Sequence, residues 1–303
     1  MVIRYGRNKL EIADQEGDVR IDIPLPLLGG EESEFVPPMG GEVSSLKQFT
    51  LWKNGGLAFG LAGVPLTSDT VEASAYGLYQ ELFGLLEGKR LYRIWNYAPG
   101  INVGEGDTEI YKLFSKGRSE AFREYFGDDD EASMPSGSCL GADGDQLIVL
   151  FLAGDVEPSH HENPQQVPAY RYPRRYGPKS PSFARATSVK LEDAFYRFIS
   201  GTAAVVGSES IGIDDVRRQL EVTCDNLEIV EKQSRVALPE NAVGVEEVLG
   251  KVYLRNAEDF TMAKDYLEQR LPAWSKHFVY LRGDVCRSNL LVEIELNFKN
   301  GYE

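Results

Sequence analysis

Residues 280–295 read Tyr280-Leu-Arg-Gly-Asp-Val-Cys-Arg-Ser-Asn-Leu-Leu-Val-Glu-Ile-Glu295. Two short apolar runs flank a polar turn, a pattern typical of a β-hairpin or of a pair of strands. Because successive side chains of a strand point to opposite faces, Glu293 and Glu295 share one face. A pairing across the turn would bring the Cys286 thiol and a carboxyl group to one surface. On these residues alone, the commoner arrangement is that both glutamates form the solvent-exposed face of an antiparallel strand, and alternation does not distinguish between them.

The composition sets limits on the partners of this protein. The chain has 303 residues, of which 42% are hydrophobic, enough for two or three domains with buried cores. It carries 47 acidic and 32 basic residues, a formal net charge of −15. Nucleic acids and anionic membranes are bound by basic surfaces, so we expect neither as a partner. A small anionic molecule remains a candidate ligand wherever positive charge is gathered locally.

Cysteine and histidine are scarce, with three of each in the chain. Three widely spaced cysteines argue against a disulfide frame or a zinc knuckle and are typical of a reducing cytosol. With so few imidazoles we expect neither a metal site nor histidine-based catalysis. The N-terminus turns polar at once, unlike a signal peptide, and no apolar run approaches the roughly 18 residues of a membrane span. We therefore expect a cytoplasmic protein.

The middle and the end of the chain repeat one order of predicted elements. From about residue 46, two strands are followed by a helix, a strand, a second helix and two further strands, and the order returns from about residue 186. The order predicts an α+β fold with two β-β-α-β-α-β-β units, at residues 46–158 and 186–303. Residues 1–45 would form a β-rich N-terminal segment and residues 159–185 a connecting segment.

The first helix of each unit has the same apolar spacing of 4, 3, 4 and 3 residues. The two sets are Val71, Ala75, Leu78, Leu82 and Leu85, and then Val216, Leu220, Thr223, Leu227 and Val230. We expect Ser68 or Asp69 to cap the first of these helices and Asp214 to cap the second.

The two units differ in their last strand. The C-terminal unit has Val292-Glu-Ile-Glu295 where the central unit has Val149-Leu-Phe-Leu152. We interpret this difference as a difference in surroundings: Leu150 would pack against a neighbouring unit, whereas Glu293 would face a cleft. The chain would then carry one acid site and not two.

The segment between the units is basic and aromatic. It contains Arg171, Arg174, Arg175, Lys179 and Arg185, with no acidic residue between Glu162 and Glu192. Its prolines would suit a linker, but three tyrosines and Phe183 are more aromatic surface than a free linker carries. We expect an ordered segment that presents arginines and phenols to an anion. The alternative is that these arginines bind the acidic body of the same protein.

Five motifs, in order over about residues 91–295, resemble the chorismatase family. They are Arg93-Ile-Trp-Asn-Tyr-Ala-Pro-Gly-Ile-Asn102, Tyr111-Lys-Leu-Phe-Ser-Lys-Gly-Arg118, the basic segment 162–186, Ile199-Ser-Gly-Thr-Ala-Ala-Val-Val-Gly207 and residues 280–295. Each unit also resembles, more weakly, the YjgF-type fold of reactive-intermediate deaminases. The resemblance implies a pseudo-threefold monomer without a cofactor, whose active site lies between the two units. Such enzymes cleave the enolpyruvyl ether of chorismate and release pyruvate with a dihydroxycyclohexadienoate or a hydroxybenzoate.

The resemblance also implies roles for individual residues. Glu293 matches the catalytic glutamate of the family, Arg118 and Arg185 match its substrate-binding arginines, and Tyr111 and Tyr172 match the tyrosines that flank the substrate. These residue types suit the chemistry, because cleavage of a vinyl ether starts with protonation of its methylene carbon. The donor must be a carboxylic acid kept protonated near neutral pH. Guanidinium groups match the geometry of the two carboxylates of chorismate.

Gly201 and Cys286 resemble a glycine and cysteine pair that accompanies the branch of the family forming 3-hydroxybenzoate. A buried structural thiol is the more ordinary role for a free cysteine. We therefore predict a chorismatase that forms 3-hydroxybenzoate and pyruvate, with Cys286 assisting at the ring. One alternative is a hydrolase that releases 3,4-dihydroxycyclohexa-1,5-dienoate. An alternative from another class is a YjgF-like module that binds an aromatic acid without turnover.

Overall fold

The computed structural model of the protein describes residues 1–15, 18–35, 42–127, 130–191 and 194–302. Within these ranges the chain forms sheets of four, six and seven strands, a two-stranded ribbon and four α-helices. This combination confirms the predicted α+β class. In the same ranges, no helix is long and apolar enough to cross a membrane.

The N-terminal segment forms a small sheet of its own. Its strands are β1 (Val2–Arg4), β2 (Glu11–Gln15), β3 (Asp18–Asp22) and β5 (Ser33–Phe35), in the order β2-β3-β1-β5. The intervening strand β4 (Leu27–Gly29) extends the C-terminal sheet instead. The segment is therefore built into the rest of the fold, while its residues 16–17 and 36–41 lie outside the described ranges.

The central unit is a six-stranded sheet with two helices. Its elements are β6 (Glu42–Leu46), β7 (Phe49–Asn54), β8 (Leu57–Pro65), α1 (Val71–Leu85), β9 (Arg90–Tyr97), α2 (Ile110–Phe126), β10 (Ser136–Leu140) and β11 (Gln146–Gly154). The strand order is β10-β9-β11-β8-β7-β6. Four of the five residues of the predicted stripe on α1 are buried, because that face of the helix packs on the sheet and on α2.

The C-terminal unit repeats this arrangement. Its elements are β12 (Ser159–His161), β13 (Ala186–Lys190), β14 (Phe195–Ala203), the ribbon strands β15 (Val205–Val206) and β16 (Glu209–Ser210), α3 (Val216–Arg235), β17 (Ala242–Leu254), α4 (Phe260–Arg270), β18 (Phe278–Arg282) and β19 (Val292–Tyr302). The sheet order is β12-β13-β14-β19-β17-β18-β4. Short 3₁₀ helices lie at Gly106–Thr108, Asp130–Ser133, Ala169–Arg171, Arg174–Tyr176, Ala257–Asp259 and Ser275–His277.

The two sheets have the same topology, which confirms the predicted repeat. The order β10-β9-β11-β8-β7 of the central unit corresponds to β18-β17-β19-β14-β13 of the C-terminal unit, and in each unit the first pair is parallel. The central strands β11 and β19 therefore occupy equivalent positions. The pseudo-threefold arrangement and the domain limits stay predictions. Strand β6 of the central sheet begins at Glu42, four residues before the predicted limit at residue 46, and β12 from the predicted connecting segment pairs with β13 of the C-terminal unit.

Several local predictions need correction. Of the two arrangements expected for residues 280–295, the pair of strands is confirmed and the hairpin is wrong, because β17 lies between β18 and β19 in the sheet. Thr70 precedes α1 directly, without a side-chain capping bond, whereas Ser68 and Asp69 lie farther out. Asp215 caps α3 by accepting a hydrogen bond from the backbone N–H of Arg218, and Asp214 adopts a left-handed backbone conformation before it.

One core cluster joins all three parts of the chain. It contains Ile21 of the N-terminal sheet, Leu150 of β11 and Tyr253 of β17, all at most 1% exposed. Leu150 thus packs between the units, as its apolar character predicts. Because β11 and β19 are equivalent, the difference between Leu150 and Glu293 marks a difference in what each strand faces.

Candidate active site

A cavity of about 220 Å³ lies between the central and C-terminal units. Its walls come from α2, β10, β14, the loop before β19, β19 itself and the connecting segment. All seven residues selected from the sequence line it: Tyr111, Arg118, Tyr172, Arg185, Gly201, Cys286 and Glu293. The fold thus brings together side chains that are separated by up to 182 positions in the sequence (293 − 111).

Glu293 is the buried acid of this cavity. It lies on β19, is only 4% exposed and pairs with Ala203 on one side and Tyr253 on the other. Burial raises the pKa of its carboxyl group to about 8, with a further contribution from the charge of Glu295, while Arg93 and Arg185 act in the opposite direction. The carboxyl group is therefore mainly protonated at neutral pH. Both Glu293 and Glu295 are buried, so the prediction that they form the solvent-exposed face of a strand is wrong.

Gly201 provides the space that this carboxyl group occupies. It lies where the register of β14 against β19 shifts, between Ile199 and Thr202. A Cβ atom at this position would lie 1.9 Å from Oε1 of Glu293 and 3.2 Å from Cβ of Ser138. The first of these distances is far inside van der Waals contact, so the observed position of the acid requires glycine here.

Glu295 shares a strand face with Glu293 but does not line the cavity. It is fully buried, and Lys251 and Arg93 approach its two carboxylate oxygens at 2.7 and 2.6 Å. Burial alone would raise the pKa of Glu295, but these two cations outweigh it and lower the pKa. The two glutamates that the sequence left equivalent therefore differ, one being neutral and open to the cavity and the other ionised behind it.

Arg118 and Arg185 are buried cations at the cavity. Arg118, on α2, is 2% exposed, and its Nε and Nη2 atoms have no hydrogen-bond partner among the described residues. Arg185 is 5% exposed, and its Nη2 donates to the Tyr172 hydroxyl at 2.8 Å and to the Val167 carbonyl at 3.2 Å. Nε of Arg185 has no hydrogen-bond partner among the described residues and lies 3.8 Å from a carboxylate oxygen of Glu162. Buried N–H groups without a hydrogen-bond partner are costly, so both guanidinium groups are suited to bind a carboxylate.

Two more of the selected residues remain protonated at neutral pH. Burial raises the pKa of the Tyr111 hydroxyl well above its usual value, and the neighbouring Cys286 thiol adds to this shift. Burial likewise raises the pKa of Cys286 to about 12, with a contribution from Glu293. Cys286 thus faces the cavity as a thiol and not as a thiolate nucleophile.

Sequence reasoning missed several polar residues of the cavity, of which Arg287 is the clearest. Its guanidinium carbon lies 3.9 Å from the centre of the Tyr176 ring and 5.0 Å from that of Tyr172. Its Nη1 donates to the Ser208 carbonyl at 2.8 Å, and its Nη2 has no partner among the described residues. Its position next to Cys286 in the sequence could have indicated that Arg287 also lies at the cavity. Gln166 and Asn289 were missed as well. Arg175 and Tyr176 also line the cavity, as expected for a segment that presents arginines and phenols to an anion.

The connecting segment combines both arrangements considered for it. Its exposed arginines bind carboxylates of the protein itself, in the pairs Arg171 with Glu131, Arg174 with Asp107 and Arg175 with Glu209. Its other side presents Tyr172 and Arg185 to the cavity. The connecting segment therefore forms one wall of the cavity, while its exposed arginines pair with acidic residues of the body of the protein.

No group of three or more histidine, cysteine, aspartate or glutamate side chains within the described ranges has the arrangement of a metal site. The residues of the cavity can donate a proton from a buried carboxyl group. Beside this acid lie arginines with N–H groups that have no hydrogen-bond partner among the described residues.

Comparison with known proteins relates this chain to chorismatases. The family described as chorismatase FkbO/Hyg5-like, N-terminal, matches residues 40–153. A protein of Streptomyces hygroscopicus named 3-hydroxybenzoate synthase is 36% identical over 251 residues, which cover 77% of this chain and 71% of that protein. A chorismatase of Streptomyces rapamycinicus is 36% identical over 246 residues, covering 78% of this chain and 73% of that protein.

The solved structure of a chorismatase agrees with these relatives. The crystal structure of a chorismatase covers 98% of this chain and 92% of its own, with a TM-score of 0.83 and 28% sequence identity. The YjgF gene product of E. coli aligns with 46% of this chain and 95% of its own, with a TM-score of 0.30 and 17% identity. The identity and coverage of the Streptomyces proteins are decisive, and this chain belongs to the chorismatase family.

Proposed function

We propose that this protein converts chorismate to 3-hydroxybenzoate and pyruvate, with Glu293 as the proton donor. The observation that carries the proposal is a buried carboxyl group whose pKa is raised to about 8, in a cavity that also contains buried arginines. Relatives named 3-hydroxybenzoate synthase and chorismatase support the same reaction.

The first step is transfer of the Glu293 proton to the methylene carbon of the enolpyruvyl group. The double bond supplies the electron pair for the new C–H bond, and the adjacent carbon and ether oxygen share the resulting positive charge. The ionised Glu293 then lies beside that oxocarbenium ion and stabilises it. The oxygen of the neighbouring ring hydroxyl then attacks the ring carbon that carries the ether, and the bond from that carbon to the ether oxygen breaks. This releases pyruvate, leaves an epoxide across the two ring carbons and returns the hydroxyl proton to Glu293. The epoxide opens at the carbon that carried the hydroxyl, so that the oxygen stays on the former ether carbon, and transfer of the proton of that carbon to the oxygen gives 3-hydroxybenzoate. The two products together contain the atoms of chorismate, so no water is consumed overall.

Arg118 and Arg185 bind the two carboxylates of chorismate in this proposal. Nε and Nη2 of Arg118 and Nε of Arg185 have no hydrogen-bond partner among the described residues, and a substrate carboxylate would supply acceptors for them. Nε of Arg185 also lies 3.8 Å from a carboxylate oxygen of Glu162, so the substrate would share that arginine with Glu162. Tyr111 and Tyr172 flank the ring, and the hydroxyl of Tyr172 is fixed by Arg185. On a chain of net charge −15, these local cations are what permits a dianionic substrate to bind.

Cys286 and Gly201 select the 3-hydroxybenzoate branch in this proposal. A protonated thiol at the ring is a weak hydrogen-bond donor and a small apolar contact, which favours attack within the substrate over attack by water. The alternative product, 3,4-dihydroxycyclohexa-1,5-dienoate, requires a water molecule at the same place. We further propose that the protein acts as a cytoplasmic monomer, with the domain limits given above.

The test is incubation of the purified protein with chorismate, with products identified by chromatography and mass detection. We expect pyruvate and 3-hydroxybenzoate in equal amounts. Glu293→Gln, which keeps the shape of the side chain, should abolish turnover while binding of 3-hydroxybenzoate measured by calorimetry stays within a few-fold. Normal activity of this variant would contradict the mechanism. Pyruvate with the dihydrodiol would keep the reaction class and refute the branch, and binding without turnover would favour the non-enzymatic module.

A further inference from the structure

A cluster of four buried charges lies directly behind the cavity. At its centre is Glu295, whose Oε1 lies 2.7 Å from Nζ of Lys251 and accepts a hydrogen bond of 3.0 Å from the indole N–H of Trp95. Its Oε2 accepts a hydrogen bond of 2.6 Å from Nη2 of Arg93. Glu295, Arg93 and Lys251 are each at most 1% exposed, so water screens none of these charges.

The repeat of the fold explains why two cations meet at one carboxylate. Lys251 pairs with Glu295 across β17 and β19, and Arg93 pairs with Leu152 across β9 and β11. Arg93 and Lys251 are therefore equivalent positions of the two units. Because the central unit has Leu152 where the C-terminal unit has Glu295, both cations turn to the single carboxylate between the sheets.

The N-terminal segment supplies the fourth charge. Nζ of Lys251 also lies 2.9 Å from Oε1 of Glu34, and the Tyr5 hydroxyl donates a hydrogen bond to the same carboxylate oxygen. The cluster thus contains two cations and two carboxylates, and its charges balance. An ionised Glu293 would add a negative charge on the same strand face as Glu295, beyond the two carboxylates of the cluster.

We propose that Glu295 is a positioning residue whose buried negative charge, held in place by Lys251 and Arg93, keeps the Glu293 carboxyl group protonated for transfer to the substrate, while Glu34 offsets the second of the two cations. This inference rests on the role given to Glu293 above. It also assigns a task to the N-terminal segment, which would contribute to the active site through Glu34 and Tyr5 without touching the substrate.

Other groups face Glu293 as well. Arg93 and Arg185 favour its ionised form, whereas Glu295 and burial favour the protonated form. The thiols of Cys139 and Cys286 and the hydroxyl of Tyr111 also lie near it, and burial raises the pKa of each, so all three are uncharged at neutral pH. Within the described ranges, Glu295 is accordingly the ionised acid that acts on Glu293 most strongly.

The experiment compares Glu295→Gln with wild type in two measurements. One is the pH dependence of chorismate turnover, and the other is an infrared titration of the carboxylic acid band that disappears in Glu293→Gln. We expect both the alkaline loss of activity and the band to move at least one pH unit lower in Glu295→Gln, which corresponds to about a tenfold loss of the protonated form per unit. Glu295→Asp keeps the charge and should restore most of the wild-type profile.

Glu231→Gln is the matched control. Glu231 is also a buried glutamate in an ion pair, with Arg197, but it does not line the cavity. Its loss should lower thermal stability and leave both pH profiles unchanged. A folded Glu295→Gln protein with wild-type profiles would overturn the proposal. If that variant does not fold, the double variant Lys251→Met/Glu295→Gln, which removes the carboxylate together with one of its cations, takes its place. A Glu293 band at lower pH in the double variant supports the proposal, and a band at the wild-type pH refutes it.

The infrared titration separates this proposal from the function. If wild type does not turn over chorismate, the proposed function fails, but the effect of Glu295 on the Glu293 band remains measurable. If turnover is normal and the band does not respond to Glu295→Gln, only the coupling of the two glutamates is refuted.

Discussion

Gly201 and Glu293 compete for the same space, since a Cβ atom on Gly201 would lie 1.9 Å from Oε1 of Glu293. The atom that it would meet is the far end of a flexible side chain. A larger residue at 201 is therefore accommodated by rotation of Glu293, not by unfolding. The position of the Glu293 carboxyl group therefore depends on residue 201 being glycine.

Gly201→Ala should accordingly move the acid away from the substrate. We expect the rate of 3-hydroxybenzoate formation to fall about 10²-fold, because displacements of about 1 Å have effects of this size. Measuring 3-hydroxybenzoate and pyruvate separately shows whether the remaining turnover shifts to the dihydrodiol. Gly77→Ala is the control, since a Cβ atom there meets nothing within 4 Å, and it should leave the rate unchanged. A wild-type rate of 3-hydroxybenzoate formation in Gly201→Ala would contradict this explanation.

The buried acid should make the protein less stable as the pH rises. Its pKa is raised from 4.5 to about 8 in the folded protein, so between these values the folded state binds a proton that the unfolded state has released. The stability that this proton provides is fully present below about pH 4.5 and is lost as the pH rises towards about 8, by up to about 1.4 kcal/mol per pH unit.

Chemical denaturation of wild type and Glu293→Gln across this range measures the effect. Because glutamine does not ionise, the difference in unfolding free energy between the two proteins should change with pH in favour of the variant. A difference that is independent of pH would mean that Glu293 has an ordinary pKa and is unsuited to donate a proton.

Arg118→Met should separate substrate binding from stability. The guanidinium is 2% exposed with two nitrogens unpartnered among the described residues, so its removal takes away a binding group and a desolvation cost together. We expect KM for chorismate to rise about 10- to 100-fold, the value of a charged hydrogen bond, while the melting temperature stays equal or increases. Addition of 3-hydroxybenzoate should raise the melting temperature of wild type only. A large fall in stability would show that Arg118 has a structural role instead.

Cys286→Ala should change the products more than the rate. In wild type the Cys286 thiol has a pKa of about 12 and forms almost no thiolate at neutral pH. Loss of the thiol therefore removes a contact at the ring and not a nucleophile. We expect chorismate consumption within about tenfold of wild type, with a larger share of the dihydrodiol among the products. Because so little thiolate is present, we also expect iodoacetamide to alkylate Cys286 of wild type slowly at pH 7. An unchanged product ratio would remove the assigned role.

Local patterns predicted the framework well. The apolar stripes of α1 and α3 arise from the helical period, and the alternation of β19 arises from the two-residue period of a strand, so both are visible in the sequence alone. The repeat was visible for the same reason. The resemblance to the chorismatase family then selected seven residues that the fold brings to one cavity.

Other features depend on contacts between distant parts of the chain. The sequence could not distinguish Glu293 from Glu295, because alternation puts both on one face. Strand pairing within the C-terminal sheet gives Glu295 the cation Lys251, and packing against the central sheet gives it Arg93. These cations lie 44 and 202 positions away in the sequence (295 − 251 and 295 − 93). The caps of α1 and α3 were misplaced by one or two residues, since several neighbouring polar residues satisfy the same pattern.

The sequence by itself determined the α+β repeat, the family and the residue types of the site, because these follow from periodicity and from local motifs. The tertiary structure decided which glutamate is neutral, why residue 201 is glycine and where the N-terminal segment acts. The physical reason is that a pKa and a steric limit depend on burial and on charges a few ångströms away, and those neighbours come from strands far apart in the chain.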